Sequence, residues 1–218
     1  MIKRESLTLK DIASRLGCSR SVVSMRLDHN PGIQQAARHL AELGHKNVLW
    51  TGFLLNGEPE EPQRKETINT CVREAGMRLS NLFLQRELLK DMQSIRGYIA
   101  GCTEQFRAHF ERSKPPTAII AYNEILGIAV NAALTELGYR VPRDVSVIGY
   151  DNIYAELSTP AMTVVSGELR EAGRRTAMML LHSIENPKPR KKLGGNVEWI
   201  PTRLVVRDST ATARLTND

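Results

Sequence analysis

Cysteine is scarce and unpatterned in this chain: Cys18, Cys71 and Cys102 are odd in number and form no CxxC pair. That argues against a disulfide framework and against a zinc site, and leaves buried or idle thiols. Long hydrophobic runs are missing as well. TAIIA (Thr117 to Ala121) and MMLL (Met178 to Leu181) are among the longest, far short of the roughly 20 apolar residues that cross a bilayer. No membrane segment is expected. The first residues, MIKRESLTLKDIA, carry charge but no apolar block and no small-residue cleavage site, so the sequence predicts no signal peptide and a cytoplasmic protein. Catalytic signatures are absent too. There is no GxGxxG, no P-loop and no GxSxG, and His29, His39, His45, His109 and His182 lack any such context. The sequence therefore predicts neither an enzyme nor a bound cofactor or metal.

What is present is the composition of a globular protein. The 218 residues are 41% hydrophobic and 25% charged, enough to bury a core in one large or two modest domains. The formal charge is +6, and most of the excess sits early: Lys3, Arg4, Lys10, Arg15, Arg20 and Arg26 face only Glu5 and Asp11. A second basic run, PKPRKKLGG (Pro187 to Gly195), holds two prolines and two glycines and reads as a solvated loop.

The early basic stretch has a local pattern. In LTLKDIASRLGCSRSVVSMRL, Thr8 can cap a helix on which Leu9, Ile12, Ala13 and Leu16 recur at helical spacing, with Asp11 near its positive end. Gly17 permits a sharp turn. Ser19 can then cap a second helix, with Val22, Val23 and Leu27 inward and Arg20, Ser21, Ser24 and Met25 outward or along its edges. A helix of that kind fits the major groove, where arginine pairs with guanine and serine holds phosphate. An ordinary helical hairpin is the alternative.

From Asp28 onward the pattern alternates. Helices are predicted over Gly32–Leu43, Pro62–Ala75, Ser94–Phe106, Asn123–Gly138 and Arg170–Ile184, and strands over Asn47–Gly52, Leu82–Gln85, Thr117–Ala121 and Val145–Asp151. Near-continuous apolar strands between helices imply a parallel sheet covered on both faces. Ligands in such sheets bind beyond the carboxyl ends of the strands, where Asn123 and Asp151 lie.

The segment from Leu7 to Leu27 resembles the DNA-binding headpiece of the lactose/galactose repressor family. Thr8, Asp11, Ile12, Ala13, Gly17, Ser19, Val23, Ser24 and Leu27 match its pattern, whereas Met25 stands where the family has arginine and Arg26 is one step further on. The rest resembles the sensor of the same family, which shares its fold with periplasmic sugar-binding proteins: DHNPGIQQAARHLAELGHKNVLWTG, IIAYNE, GYRVPRDVSVIGYDN, STPAMTVV and PTRLVVRDST each match a family motif. The resemblance implies an α/β chain with an N-terminal helix-turn-helix (residues 1–30) fused to a periplasmic-binding-protein-like parallel sensor subdomain (residues 31–218).

It also implies a homodimeric transcription regulator acting on double-stranded operator DNA and answering to a small effector such as a sugar. Thr8, Ser19, Arg20, Ser21, Ser24, Met25 and Arg26 are the DNA-contact positions under that resemblance, and Arg64, Asn123 and Asp151 the effector positions. Thr67 replaces the glycine that follows the sensor arginine, and Glu124 reads as a helix-dipole partner rather than a ligand contact. Some 130 residues of the family pattern, covering the hinge and the first sensor half, have no counterpart between Leu27 and Ile33. An internal deletion is the expected cause. An open half-site should bind its effector weakly, because a pocket must bury most of its ligand. A DNA-free binding or dimerisation remnant is the rival reading.

Overall fold

The computed structural model describes residues 23–55, 57–59, 62–85, 94–113, 115–185 and 196–214. In chain order the elements are β1 (Val23–Asp28), α1 (Asn30–Glu42), β2 (Asn47–Leu55), β3 (Glu58–Pro59), α2 (Pro62–Glu74), β4 (Arg78–Gln85), α3 (Ile95–Arg112), β5 (Ala118–Ala121), α4 (Glu124–Glu136), β6 (Ser146–Asp151), β7 (Thr163–Ser166), α5 (Leu169–Glu185), β8 (Asn196–Pro201) and β9 (Arg203–Val205), with a 3₁₀ turn at Ala155–Leu157. They divide into two compact units, one from the described parts of Met1–Asp28 and Glu168–Ile200, the other from those of His29–Gly167 and Pro201–Asp218.

In the smaller unit β1 pairs with β8 as a two-stranded sheet, and α5 lies against β1. This corrects the sequence reading of a recognition helix running to Leu27; the first helix, the turn and the start of the second helix in the expected helix-turn-helix lie outside the described residues. The letters VSMRLD alternate apolar and polar, a period of two that suits a strand as well as the helical stripe read from Val22, Val23 and Leu27. A partner strand within the same chain satisfies the backbone of β1 by a ladder, and tertiary pairing overrides local propensity. Ser24, Met25 and Arg26 thus lie on a strand. Thr8, Ser19, Arg20 and Ser21 lie outside the described residues.

The larger unit carries the alternation that the sequence predicts. Its sheet runs β4-β2-β5-β6-β7-β9, with β3 folded back antiparallel on the end of β2. The neighbouring pairs from β4 to β7 are parallel, and β9 closes the edge antiparallel to β7. Side chains alternate across this sheet. Val48, Trp50, Ala118, Ile120, Ile148 and Tyr150 face α1 and α2, where Ile33, Leu40, Ile68 and Val72 meet them. Leu49, Phe53, Ile119, Ala121 and Val147 face α3 and α4, where Phe106, Leu126, Val130 and Leu134 complete the other core.

Local chemistry sets the helix ends. Gly44, Gly76 and Gly138 follow α1, α2 and α4 with φ of +84°, +76° and +80°, the left-handed turn that closes a helix at little cost only for glycine. Ser94 caps α3 by accepting from Gly97 N–H at 3.0 Å. Both α3, which runs on to Arg112, and β4, which starts at Arg78, are longer than the sequence pattern predicts. The extra turns of α3 bury Phe110, one turn beyond the buried Phe106.

The last described residues lock the amino ends of the strands. Val147 N–H donates to the Ser209 carbonyl at 2.8 Å, Thr163 N–H donates to Ser209 Oγ at 2.8 Å, and Ala213 N–H donates to the Leu43 carbonyl at 2.8 Å. His45, only 2% exposed, bridges this segment to the sheet. Its Nε2 lies 3.2 Å from the Ala211 carbonyl and 3.1 Å from Ser146 Oγ, and its Nδ1 lies 2.9 Å from Thr117 Oγ1. A carbonyl only accepts, so Nε2 carries the proton and Nδ1 accepts from the threonine hydroxyl. Burial pushes His45 below its ordinary 6.5, the Ala211 carbonyl opposes this, and nearby His39 adds to the lowering.

A neutral buried histidine has a defined pH signature. As pH falls through about 6.5 the unfolded chain takes up a proton at His45 and the folded chain does not, so stability is full above that value and declines below it. The thermal midpoint should therefore be level above about pH 7 and fall as the pH drops below about 6.5. His45→Gln should be less stable at neutral pH but show a shallower acid fall. An equally steep fall in that variant would assign the acid sensitivity to other groups.

Candidate functional site

The strand order reverses between β2 and β5: the chain passes through α2 to β4 on one side of β2 and returns through α3 to β5 on the other. In open parallel sheets a crevice forms at the carboxyl ends of the strands beside such a reversal. Three segments far apart in sequence meet there. These are the first turn of α2 with Arg64, the end of β5 with Tyr122 and Asn123, and the end of β6 with Tyr150 and Asp151.

The register explains the meeting. Ala118, Ile119 and Ile120 on β5 pair with Ser146, Val147 and Ile148 on β6. Carried forward, the same offset sets Tyr122 beside Tyr150 and Asn123 beside Asp151. Arg64, 8% exposed, donates from Nη1 to the Tyr122 carbonyl at 2.9 Å. Its guanidinium carbon sits 4.8 Å from the centroid of the Tyr122 ring and 4.3 Å from that of Tyr150. A planar, weakly hydrated cation suits aromatic faces, and each contact contributes about 0.5 to 2 kcal/mol. Arg64 Nε is buried without a hydrogen-bond partner among the described residues. Thr67 lies half-buried on α2 one turn further on.

Asn123 is the N-cap of α4, its Oδ1 accepting from Leu126 N–H at 2.8 Å. That bond uses the carbonyl side of the amide, so Nδ2 is the group left to act as a donor. Asp151 ends β6 with φ +91°, and Asn152 follows at φ +73°. Two successive non-glycine residues in the left-handed region are uncommon, though aspartate and asparagine tolerate it best. Burial raises the Asp151 carboxyl above its ordinary 3.8, Arg64 opposes the rise, and the Glu124 carboxylate adds to it. Asp151 therefore lies within the electrostatic reach of both.

Glu124 has a role that the sequence reading missed. It is 2% exposed, and its two carboxylate oxygens accept from Ile153 N–H at 3.0 and 2.9 Å and from Tyr154 N–H at 2.8 Å. Arg207 holds the same loop from the C-terminal side: Nη2 donates to Asn152 Oδ1 at 2.8 Å and to Glu156 Oε1 at 3.1 Å, and Nη1 donates to the Met162 carbonyl at 2.9 Å. The tyrosine platform was missed too, although a signal for it was present. A tyrosine stands immediately before each of the two strand-end residues, Asn123 and Asp151. His29 adds a fourth contact, its Nδ1 hydrogen-bonded to the Tyr150 hydroxyl and its ring edge-on to that tyrosine at 5.5 Å.

The arrangement offers one cationic fork, one amide donor and one carboxylate around an aromatic floor. Among the described residues no group of three histidine, cysteine, aspartate or glutamate side chains could hold a metal ion. No described helix is long and apolar enough to cross a membrane.

The family model of the periplasmic binding protein-like domain matches residues 37–210. The chain is 26% identical over 192 residues to the arabinose metabolism transcriptional repressor of Halalkalibacterium halodurans, covering 86% of this chain and 49% of that one. It thus spans about half the length of the curated relatives that it matches. Among solved structures it is similar to a LacI family transcriptional regulator from Enterococcus faecium with bound ribose, at 28% identity and TM-score 0.67, covering 87% of this chain and 66% of that one. It also shares its fold with a dimeric Lac repressor carrying an 11-residue C-terminal deletion, at 20% identity and TM-score 0.70, covering 88% of this chain and 65% of that one.

Proposed function

Since the chain belongs to the family of periplasmic binding protein-like domains, in its LacI/GalR line of transcription regulators, we propose that its larger unit binds a small polyhydroxylated effector, a sugar or related metabolite, at Arg64, Asn123 and Asp151. The observation that carries this is the convergence of those three residues at the carboxyl ends of β5 and β6. Vicinal hydroxyls pair well with such groups. The Asp151 carboxylate accepts, Asn123 Nδ2 donates, and the guanidinium donates in a fixed plane. The tyrosine rings supply an apolar floor for the sugar's C–H face. The E. faecium regulator that carries ribose is the source of the first ligand to try. The relatives are transcriptional repressors, which supports reading the chain as a sensor rather than an enzyme.

The same line of regulators supports two proposed partners. A second copy of this chain would make a homodimer, as in the dimeric Lac repressor. The exposed apolar side chains of Ile153, Tyr154 and Leu157, beside the effector site, are a surface on which it could sit. Operator DNA is the other partner, and contact with it would fall to Thr8, Ser19, Arg20 and Ser21 and to the basic residues Lys3, Arg4, Lys10 and Arg15. Against that stands the strand at Val23–Asp28, where a recognition helix would need to continue. This favours a second reading, a ligand-binding remnant of a repressor that lost its hinge and first sensor half. Binding to duplex DNA discriminates between them. Through charge alone it should be sequence-tolerant and vanish as salt approaches physiological strength, whereas sequence-selective binding that survives there would restore the working-repressor reading.

For the effector, calorimetry with D-ribose and a panel of related polyols should give a weak, saturable signal, because the first sensor half of the family pattern, which would bury the other side of the ligand, has no counterpart in the sequence. Asp151→Ala should abolish it. A tight signal that survives Asp151→Ala would move the site elsewhere.

A further inference from the structure

We propose that Glu124 is the positioning residue of the effector site: its buried carboxylate holds the Ile153–Tyr154 backbone and thereby fixes the left-handed turn that aims Asp151. The inference rests on the effector reading above for its purpose but not for its geometry.

The physical case begins with burial. A carboxylate that is 2% exposed is stable only if its charge is compensated, and Glu124 has no cation within salt-bridge distance among the described residues. Its compensation comes from the N–H groups of Ile153 and Tyr154, at 2.8 to 3.0 Å. Hydrogen bonds from N–H groups to a carboxylate are roughly twice as strong as neutral ones. They reach 29 to 30 residues along the chain, so they are tertiary ties and not part of the helix cap. The cap of α4 belongs to Asn123, which leaves the neighbouring carboxylate free for the loop.

The loop needs such a tie. Asp151 and Asn152 hold φ of +91° and +73°, a conformation that persists in non-glycine residues only when the surroundings over-determine it. On the far side of this pair, Glu124 takes both following amides. On the near side, Asp151 is fixed by β6, where it pairs with Ser166. The approach is close: a Cβ added at Gly149 would lie 3.1 Å from Glu124 Cα, so β6 and the start of α4 pack backbone to backbone. The direction of the Asp151 side chain is therefore set from α4, the helix whose cap is Asn123. One helix terminus carries one effector residue and aims another.

Three measurements on the full chain test this. Ile153 and Tyr154 have exposed side chains, 58% and 42%, so an ordinary surface loop would leave their amides unprotected. In the wild type both should exchange slowly. In Glu124→Gln, which keeps the shape but lacks the charge and one acceptor oxygen, they should exchange roughly tenfold faster or more. The carbon-13 titration of the Asp151 carboxyl should shift to a lower midpoint in that variant, because a like charge has been removed, and Glu124→Asp should leave it nearer the wild-type value. D-ribose binding should weaken in Glu124→Gln more than in Glu124→Asp. Fast exchange of both amides in the wild type, or an unmoved Asp151 midpoint in Glu124→Gln, would overturn the proposal. A wild-type chain silent to ribose and to the polyol panel would count against the effector reading alone, and the two ligand-free readouts would still decide the role of Glu124.

Discussion

A buried guanidinium between two tyrosine rings is the interaction on which the site depends. Arg64 enters from the first turn of α2, gives one hydrogen bond to the Tyr122 carbonyl, and rests on the faces of Tyr122 and Tyr150. Removing a charge from water is expensive, and a cation stays buried only where dipoles, aromatic faces or counter-charges replace the solvent. Here the replacements come from the ends of two adjacent strands. The requirement to compensate one cation therefore joins α2 to β5 and β6, and it gathers Asn123 and Asp151 around the same point. His29 extends the cluster by holding the Tyr150 hydroxyl, which ties the residue before α1 to the same floor.

The anionic side is built on the opposite principle. Glu124 is compensated by backbone amides, and its partners are the residues that follow the left-handed pair Asp151–Asn152. Arg207 supports the same loop from the C-terminal segment, which is in turn pinned to the amino ends of the strands through Ser209 and His45. Cation, loop anchor and tail thus form a connected polar frame around an apolar sheet. Ile153, Tyr154 and Leu157 are exposed on the anchored loop, so these apolar side chains and the Asp151 carboxylate share one support.

Much of the larger unit is legible in the sequence because its strands are short, apolar and bounded by glycine. Gly44, Gly76 and Gly138 mark helix ends, and the runs around Ile120 and Ile148 can only be buried strands of a covered sheet. The positions of Asn123 and Asp151 follow from that pattern, since both close such strands. What the sequence conceals is tertiary. Nothing local distinguishes Glu124 as a loop anchor from an ordinary acidic residue in a first helical turn, because its partners lie 29 and 30 residues away. The platform under Arg64 needs the register of β5 on β6 before Tyr122 and Tyr150 can be seen as neighbours. At Val23–Asp28 the failure has another cause: six letters of alternating polarity fit two periods, and the strand that decides between them, β8, lies some 170 residues on.

The central claim, that α2 and the ends of β5 and β6 form one electrostatically coupled site, can be tested without any ligand. The carbon-13 titration of the Asp151 carboxyl in the Arg64→Met chain measures it directly, since methionine keeps much of the side-chain volume and removes the charge. Arg64 opposes the rise that burial imposes on Asp151, so its loss should move the Asp151 midpoint to higher pH, with the other carboxyl midpoints little changed. An Asp151 midpoint identical in the two chains, with the fold intact, would mean that Arg64 and Asp151 do not share a site, and the account given for the effector pocket would fail.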